Sequence, residues 1–190
     1  MRPSRRGFTL IELMIVVAIL AILAVVAVPA FVKFLRRAKT VEAVDQLDKI
    51  HKGAVSYYMR GKVAHGTGAP VRCQFPEAQG MTPDITGKKC CGGAADADGD
   101  DRCDVDPPIW NAKVWSALSF ELRDQHYFGY SFVSSGTVET AKFTATANAD
   151  LDCDGEVSTF ERYGYGTSGN ASGDCEASQA SAYFRKGDTE

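Results

Sequence analysis

Residues 8–32, FTLIELMIVVAILAILAVVAVPAFV, form a run of 25 positions that is apolar apart from Thr9, Glu12 and Pro29. A helix that crosses a bilayer needs about 20 such residues, whereas the core of a secretory signal has about 7–15. The run therefore reads as a spanning helix. Glu12 is the difficulty, because a carboxylate near the centre of a membrane helix costs about 2.5–3.5 kcal/mol. A partner must make it worth keeping, or it must reach the headgroups from its place one turn into the run.

Arg2, Arg5 and Arg6 precede the run, and Lys33, Arg36 and Arg37 follow it, so counting positive charge leaves the orientation nearly tied. The cysteines break the tie. All six, Cys73, Cys90, Cys91, Cys103, Cys153 and Cys175, lie after the run, which places the C-terminal part in an oxidising compartment where they pair as disulfides. A zinc site is the poorer reading, since the sequence has no C-x2-C pair and only three histidines, His51, His65 and His126. Six cysteines allow fifteen pairings. The expectation here is Cys153 with Cys175, with Cys73, Cys90, Cys91 and Cys103 forming two further bridges of open pairing. The formal charge is −3, and without the three leading arginines it becomes 18 basic against 24 acidic residues, or −6. Such a chain offers no basic surface to phosphate backbones, so nucleic acid is not an expected partner. Nor does it contain a phosphate loop, a dinucleotide fingerprint or a nucleophile motif, so it is not expected to be an enzyme.

Three readings of the N-terminus compete. Ala27 to Ala30 offers an A-x-x-A cleavage site for a secretory signal, but the core is too long for one. An uncleaved anchor leaves Glu12 unexplained. The third reading rests on RRGFTLIELM: a short basic leader ending in Gly7, then Phe8, Thr9, Leu10, Ile11 and Glu12 heading the apolar run. This stretch resembles the class III prepilin signal of type IV pilins and type II secretion pseudopilins, and the resemblance covers about residues 5–40. It implies cleavage after Gly7 by a prepilin peptidase, N-methylation of Phe8, and Glu12 as fifth residue of the mature chain. It also implies a partner for Glu12. Opposite charges 4 Å apart attract by about 4 kcal/mol at an effective dielectric of 20. Within one helix Glu12 lies about 6 Å along the axis from Phe8. A neighbouring subunit can present its terminal ammonium more directly, so the pairing would drive docking and set the axial step.

Pro29 removes a backbone hydrogen bond to Val25 and should kink or loosen the helix, as the family tolerates. Beyond it, Phe34, Ala38, Val41, Val44, Leu47, Ile50, Ala54 and Tyr57 or Tyr58 recur at intervals of three and four. One amphipathic helix should thus continue to about Met59, with Gly61 as its stop, about 78 Å long in all. Residues 61–110 read as loops. WNAKVWSALSFEL reads as a short helix with Val114, Trp115, Leu118 and Leu122 on one face, and residues 126–133, 140–147 and 181–186 read as strands. The fold class expected is α+β: a long helix packed on a small antiparallel sheet with disulfide-rich loops. The pilin family has that architecture. The expected divisions are a cleaved leader (1–7), a transmembrane or filament-core helix (8–34), an amphipathic continuation (35–60) and an extracytoplasmic head (61–190).

The head carries DLDCDGEVSTFE. Counted from Asp150, acids stand at positions 1, 3 and 5 (Asp150, Asp152, Asp154), Gly155 at 6, Glu156 at 7, Ser158 at 9 and Glu161 at 12. That is the pattern of an EF-hand calcium loop, with Glu156 contributing its backbone carbonyl and Glu161 closing the shell. The strand-like TAKFTATANA before it means an EF-like loop outside an EF-hand fold. A second run, DADGDDRCDVD, supplies Asp96, Asp98 and Asp100, but its glycine comes too early and no glutamate closes it. A solvated acidic loop is the better reading there.

Taken together, these features predict a pilin stored in the inner membrane with its head in the periplasm. It would be cut by prepilin peptidase and built by inner-membrane assembly machinery into a homo- or hetero-oligomeric filament with other pilins, with calcium as the expected cofactor. A pseudopilin of a type II secretion system is the alternative. A membrane-anchored calcium-binding adhesion module that never polymerises is the rival from another class.

Overall fold

The computed structural model of the chain describes residues 7–60, 62–63, 70–71, 73–87, 89–167, 175–178 and 183–187; the leader residues 1–6 and the helix stop expected at Gly61 lie outside them. Helix α1, Leu10–Met59, is 50 residues long, about 75 Å, and runs through Pro29 without interruption. Its front and back meet different surroundings. Every large apolar side chain from Leu10 to Leu35 is exposed, while Ala43, Leu47, Ile50, His51, Ala54 and Tyr58 are buried. The buried stripe therefore begins later than the apolar periodicity suggests: Phe34 and Val41 point outward, at 68% and 65% exposure. The imidazole of His51 packs against Phe143, the core role that its place on the stripe favours.

Strands β1 (Lys62–Val63) and β2 (Pro70–Val71) form a two-residue antiparallel ribbon. The main sheet is antiparallel and contains β3 (Gln79–Thr82), β4 (Gly129–Ser135), β5 (Lys142–Ala149), β6 (Ser158–Thr167), β7 (Glu176–Ala177) and β8 (Tyr183–Lys186). Its order is β3-β4-β5-β6, and β7 and β8 pair with β6 at its two ends. The strands expected at 126–133, 140–147 and 181–186 correspond to β4, β5 and β8; β4 begins three residues late and β5 two, and residues 181–182 lie outside the described set.

Strand β5 alternates cleanly, with Phe143, Ala145, Ala147 and Ala149 turned inward. Its small alanines leave room for α1 to lie across the sheet, where Leu47, Ile50 and Tyr58 meet Phe75, Phe132, Phe143 and Phe160 in one core. A short helix α2, Lys113–Leu118, follows a 3-10 turn at Pro107–Asn111 and packs Trp115 and Leu118 into that core. Leu122 is buried too, although the helix has ended at Ser119, whose backbone is left-handed. The crossing of α1 and α2 depends on Gly53, since a Cβ there would lie 2.1 Å from the Leu118 carbonyl oxygen.

Three disulfides hold the head together: Cys73–Cys175, Cys90–Cys103 and Cys91–Cys153. The expected Cys153–Cys175 bridge does not form. Cys153 sits in the turn that enters β6, whereas Cys175 leads into β7, which pairs with the far end of β6 at Gly166 and Thr167. Nine steps along a strand separate those ends by about 30 Å, against the 4.4–6.8 Å between Cα atoms that a disulfide spans. The architecture is thus α+β and pilin-like: a long N-terminal apolar helix, an antiparallel sheet and three disulfides.

Candidate functional site

Among the described residues, two places stand out for chemistry beyond packing. The first is the start of α1. Thr9 is its N-cap, with extended backbone, and it forms a capping box with Glu12. The Glu12 backbone N–H donates to Thr9 Oγ1 at 3.3 Å; in return the Glu12 carboxylate accepts from the Thr9 backbone N–H at 2.9 Å and from its hydroxyl at 2.7 Å. The T-x-x-E spacing is the sequence signature of this device. Thr9 and Glu12 thus carry a signal in the sequence for local donors to the acid, beside the cost of placing it in an apolar run. In a single chain, then, Glu12 is satisfied locally and exposed, and Phe8 beside it is 84% exposed.

The second is the eight-residue turn 150–157 between β5 and β6. Asp150 accepts from the backbone N–H groups of Asp154 (3.1 Å) and Gly155 (2.9 Å), and Asp154 from that of Glu156 (2.7 Å). Gly155 takes φ +104°, a conformation that a side chain at this position of the loop would resist. Asp152 looks elsewhere: its Oδ2 pairs at 2.7 Å with Arg36 of α1, and its Oδ1 is buried with no hydrogen-bond partner. One carboxylate oxygen from each of Asp150, Asp152 and Asp154 lies within 4.8 Å of the other two. Ligands on opposite sides of a calcium ion stand about 5 Å apart, twice the usual 2.3–2.6 Å bond. The three oxygens therefore fit one coordination sphere, and the bare Asp152 oxygen is the kind of atom that a cation would satisfy.

Two expected ligands are not part of this group. Glu161 lies four residues into β6, paired with Thr146 and Phe184, and its carboxylate accepts from the Tyr163 hydroxyl. Ser158 is buried, its hydroxyl donating to the Gly187 carbonyl. The cause is the element that follows the loop. In an EF-hand a helix turns position 12 back to the ion, whereas a strand carries each residue about 3.3 Å further away.

The second acidic run behaves differently. Asp96 is buried and accepts four backbone N–H groups, from Gly92, Gly99, Asp100 and Asp101, at 2.6–3.1 Å. These bonds, that from Gly92 foremost, hold its carboxyl below the usual range. Asp98 and Asp100 are exposed, and Asp98 accepts from Gln125. Asp96, Asp98 and Asp100 also have oxygens within 4.8 Å of one another. The leading acid differs from Asp150 in accepting four backbone N–H groups of its own run and not two, which folds the run into a turn.

Residues 2–28 match the family model described as the prokaryotic N-terminal methylation motif. The chain carries the class III prepilin signal of type IV pilins. No curated protein and no solved structure matches the sequence. The signal marks structural subunits of the type IV pilin or pseudopilin kind, which are not enzymes. Such subunits are processed by prepilin peptidase and assemble with other pilins. A prepilin signal followed by a helix this long and apolar fits membrane anchoring before assembly.

Two residues that shape the pilin-like head gave no signal in the sequence. Glu42, on α1, accepts from the backbone N–H groups of Tyr127 and Phe128 and from the Tyr130 hydroxyl at 3.1–3.3 Å, and burial raises its pKa despite those bonds. Arg162, on β6, is ion-paired with Asp48 of α1 and lies against the Tyr183 ring. Both look like surface charges until the sheet is folded under the helix.

Proposed function

We propose that the protein is a type IV pilin, held in the inner membrane with its head on the periplasmic side. It is cut between Gly7 and Phe8, methylated at Phe8, and drawn by the inner-membrane assembly machinery into a filament with other pilins. The observation that carries this reading is the pairing of the methylation motif with an apolar half-helix that, among the described residues, nothing in its own chain covers. Lipid covers that surface before assembly, and the helices of neighbouring subunits cover it afterwards. On docking, Glu12 exchanges the two donors of Thr9 for the ammonium of a neighbour's Phe8, a stronger charge-assisted bond in a water-poor bundle. Mass spectrometry of the stable protein tests the reading directly: N-methyl-Phe8 at the N-terminus is expected, and an intact leader beginning at Met1 overturns it. In a deletion strain, loss of surface filaments supports a pilin, whereas loss of secreted proteins with filaments intact supports a type II secretion pseudopilin.

The same proposal includes calcium at the β5–β6 turn, held by the carboxylates of Asp150, Asp152 and Asp154 and by the backbone carbonyl of Glu156. The ion would neutralise three crowded acids and stiffen the turn on the head's surface. Its support is the spacing of the three acids, the φ of Gly155 and the bare Asp152 oxygen. With the full chain in detergent, calcium should raise the melting temperature of the wild type and not that of Asp150→Ala. Equal melting of the wild type in calcium and in chelator removes the metal from the account.

A further inference from the structure

We propose that Arg36 is a built-in competitor for the cation at the β5–β6 turn, so that calcium binding and the grip of the head on α1 oppose each other. This rests on the calcium reading of that turn. Within the group, Asp150 and Asp154 are held by backbone N–H groups of their own loop, whereas Asp152 is held by a guanidinium from an element 116 positions earlier in the chain. The Arg36–Asp152 pair is largely sheltered, with side chains 28% and 19% exposed. Three residues further along α1, the Lys39 ammonium donates to the Leu151 carbonyl at 3.1 Å. One face of the helix thus supplies two positive charges to a turn whose own side chains are acidic.

The geometry makes the competition electrostatic. Arg36 occupies Asp152 Oδ2, and the neighbouring Oδ1 is the oxygen left bare. A divalent ion bonded at 2.3–2.6 Å to this carboxylate would lie about 6 Å from the guanidinium. Repulsion between a double and a single positive charge at that distance, even at the dielectric of water, is worth about a tenfold change in affinity. Calcium therefore loosens the Arg36 contact, and by reciprocity whatever draws Arg36 away tightens calcium. Arg36 stands where the exposed front of α1 gives way to the buried back, so the turn senses whether the helix and head keep their free-subunit arrangement.

The test uses the full chain in detergent and calcium titration by calorimetry. Arg36→Gln should bind calcium about tenfold more tightly than the wild type. Arg37→Gln, which removes the same charge from an exposed neighbour, should bind within about twofold of it. As a second readout, Arg36→Gln should melt lower than the wild type in chelator and gain more from calcium. If Arg36→Gln binds calcium equally well or more weakly, the competition is wrong while the calcium site stands. If neither protein binds calcium, the site itself is wrong and the competition falls with it.

Discussion

The front and back of α1 solve the same problem by different means. Both are amphipathic or apolar helix with a glutamate set among hydrophobic residues. In the back half, Leu47 and Ile50 are fully buried and Glu42 finds three donors on the strand and loop beneath it. In the front half, Val25 is 75% exposed and, among the described residues, Glu12 finds only its own N-cap. The back half completes its contacts within the chain, and the front half leaves them open. A soluble protein rarely leaves an apolar surface of this extent bare, and such a surface marks a membrane or protein partner. The difference separates a folding unit from an assembly unit within one unbroken helix.

Glu12→Ala gives the sharpest contrast. The variant should fold, insert and be processed, with head melting unchanged, yet fail to enter filaments. Electron microscopy of sheared filaments and immunoblotting of membranes read the two outcomes separately. Normal filament yield would falsify the charge pairing and leave Glu12 with its capping role alone. The disulfides give the next largest effect, confined to the other side of the comparison. Cys91→Ser with Cys153→Ser opens a bridge across 62 residues and should cost about 4 kcal/mol of head stability by the chain-entropy relation. Denaturant melts should show that loss while membrane retention of the chain is unchanged. Release of the chain from the membrane would mean that the two halves do not act independently.

How much of this was legible follows from the same contrast. The front half speaks in one-dimensional terms, as a long apolar run with a register of Gly7, Phe8 and Glu12, and the sequence was enough to place it. The helix–sheet head was readable where burial is periodic, as in β5 with its alternating Phe143, Ala145, Ala147 and Ala149. It was not readable in β6, whose inward positions are Ser158, Phe160, Arg162, Gly164 and Gly166. Their logic is three-dimensional: Gly164 makes room for the Phe143 ring, Gly166 for the Tyr58 hydroxyl, and Arg162 faces Asp48. The acidic turn was half legible. Its spacing named Asp150, Asp152 and Asp154, but only the strand after it shows why Glu161 and Ser158 turn away, and only the fold brings Arg36 to Asp152.

Core substitutions should divide at the same junction. Leu47→Ala removes a fully buried side chain and should destabilise the head by about 3 kcal/mol. Leu23→Ala, at 60% exposure, should leave head melting in detergent unchanged within about 0.5 kcal/mol and act only on filament assembly. Comparable losses of melting temperature from both would show that the front half already packs within the chain.

The smallest effect belongs to Glu42, and its sign is informative. Burial, ahead of every other influence, raises its pKa from 4.5, with the Tyr127, Phe128 and Tyr130 donors pulling the other way. A carboxyl whose folded pKa is raised binds its proton more tightly when folded. Its contribution to stability is complete below the unfolded value and is lost as pH rises through the folded one. Near neutrality the charged group is thus tolerated at some cost, repaid in part by its three donors. Glu42→Gln keeps an acceptor for Phe128 and Tyr130 without the charge, so its stability relative to the wild type should improve as pH rises from about 4 to 7. The change should be about the size of one hydrogen bond, ~1 kcal/mol. Urea melts across that range read the difference. A flat gap would mean that the three donors fully offset the burial, whereas a gap that widens in favour of glutamate would mean that the back half of α1 holds its acid by favourable charge interactions, as docking is proposed to do for Glu12 in the front.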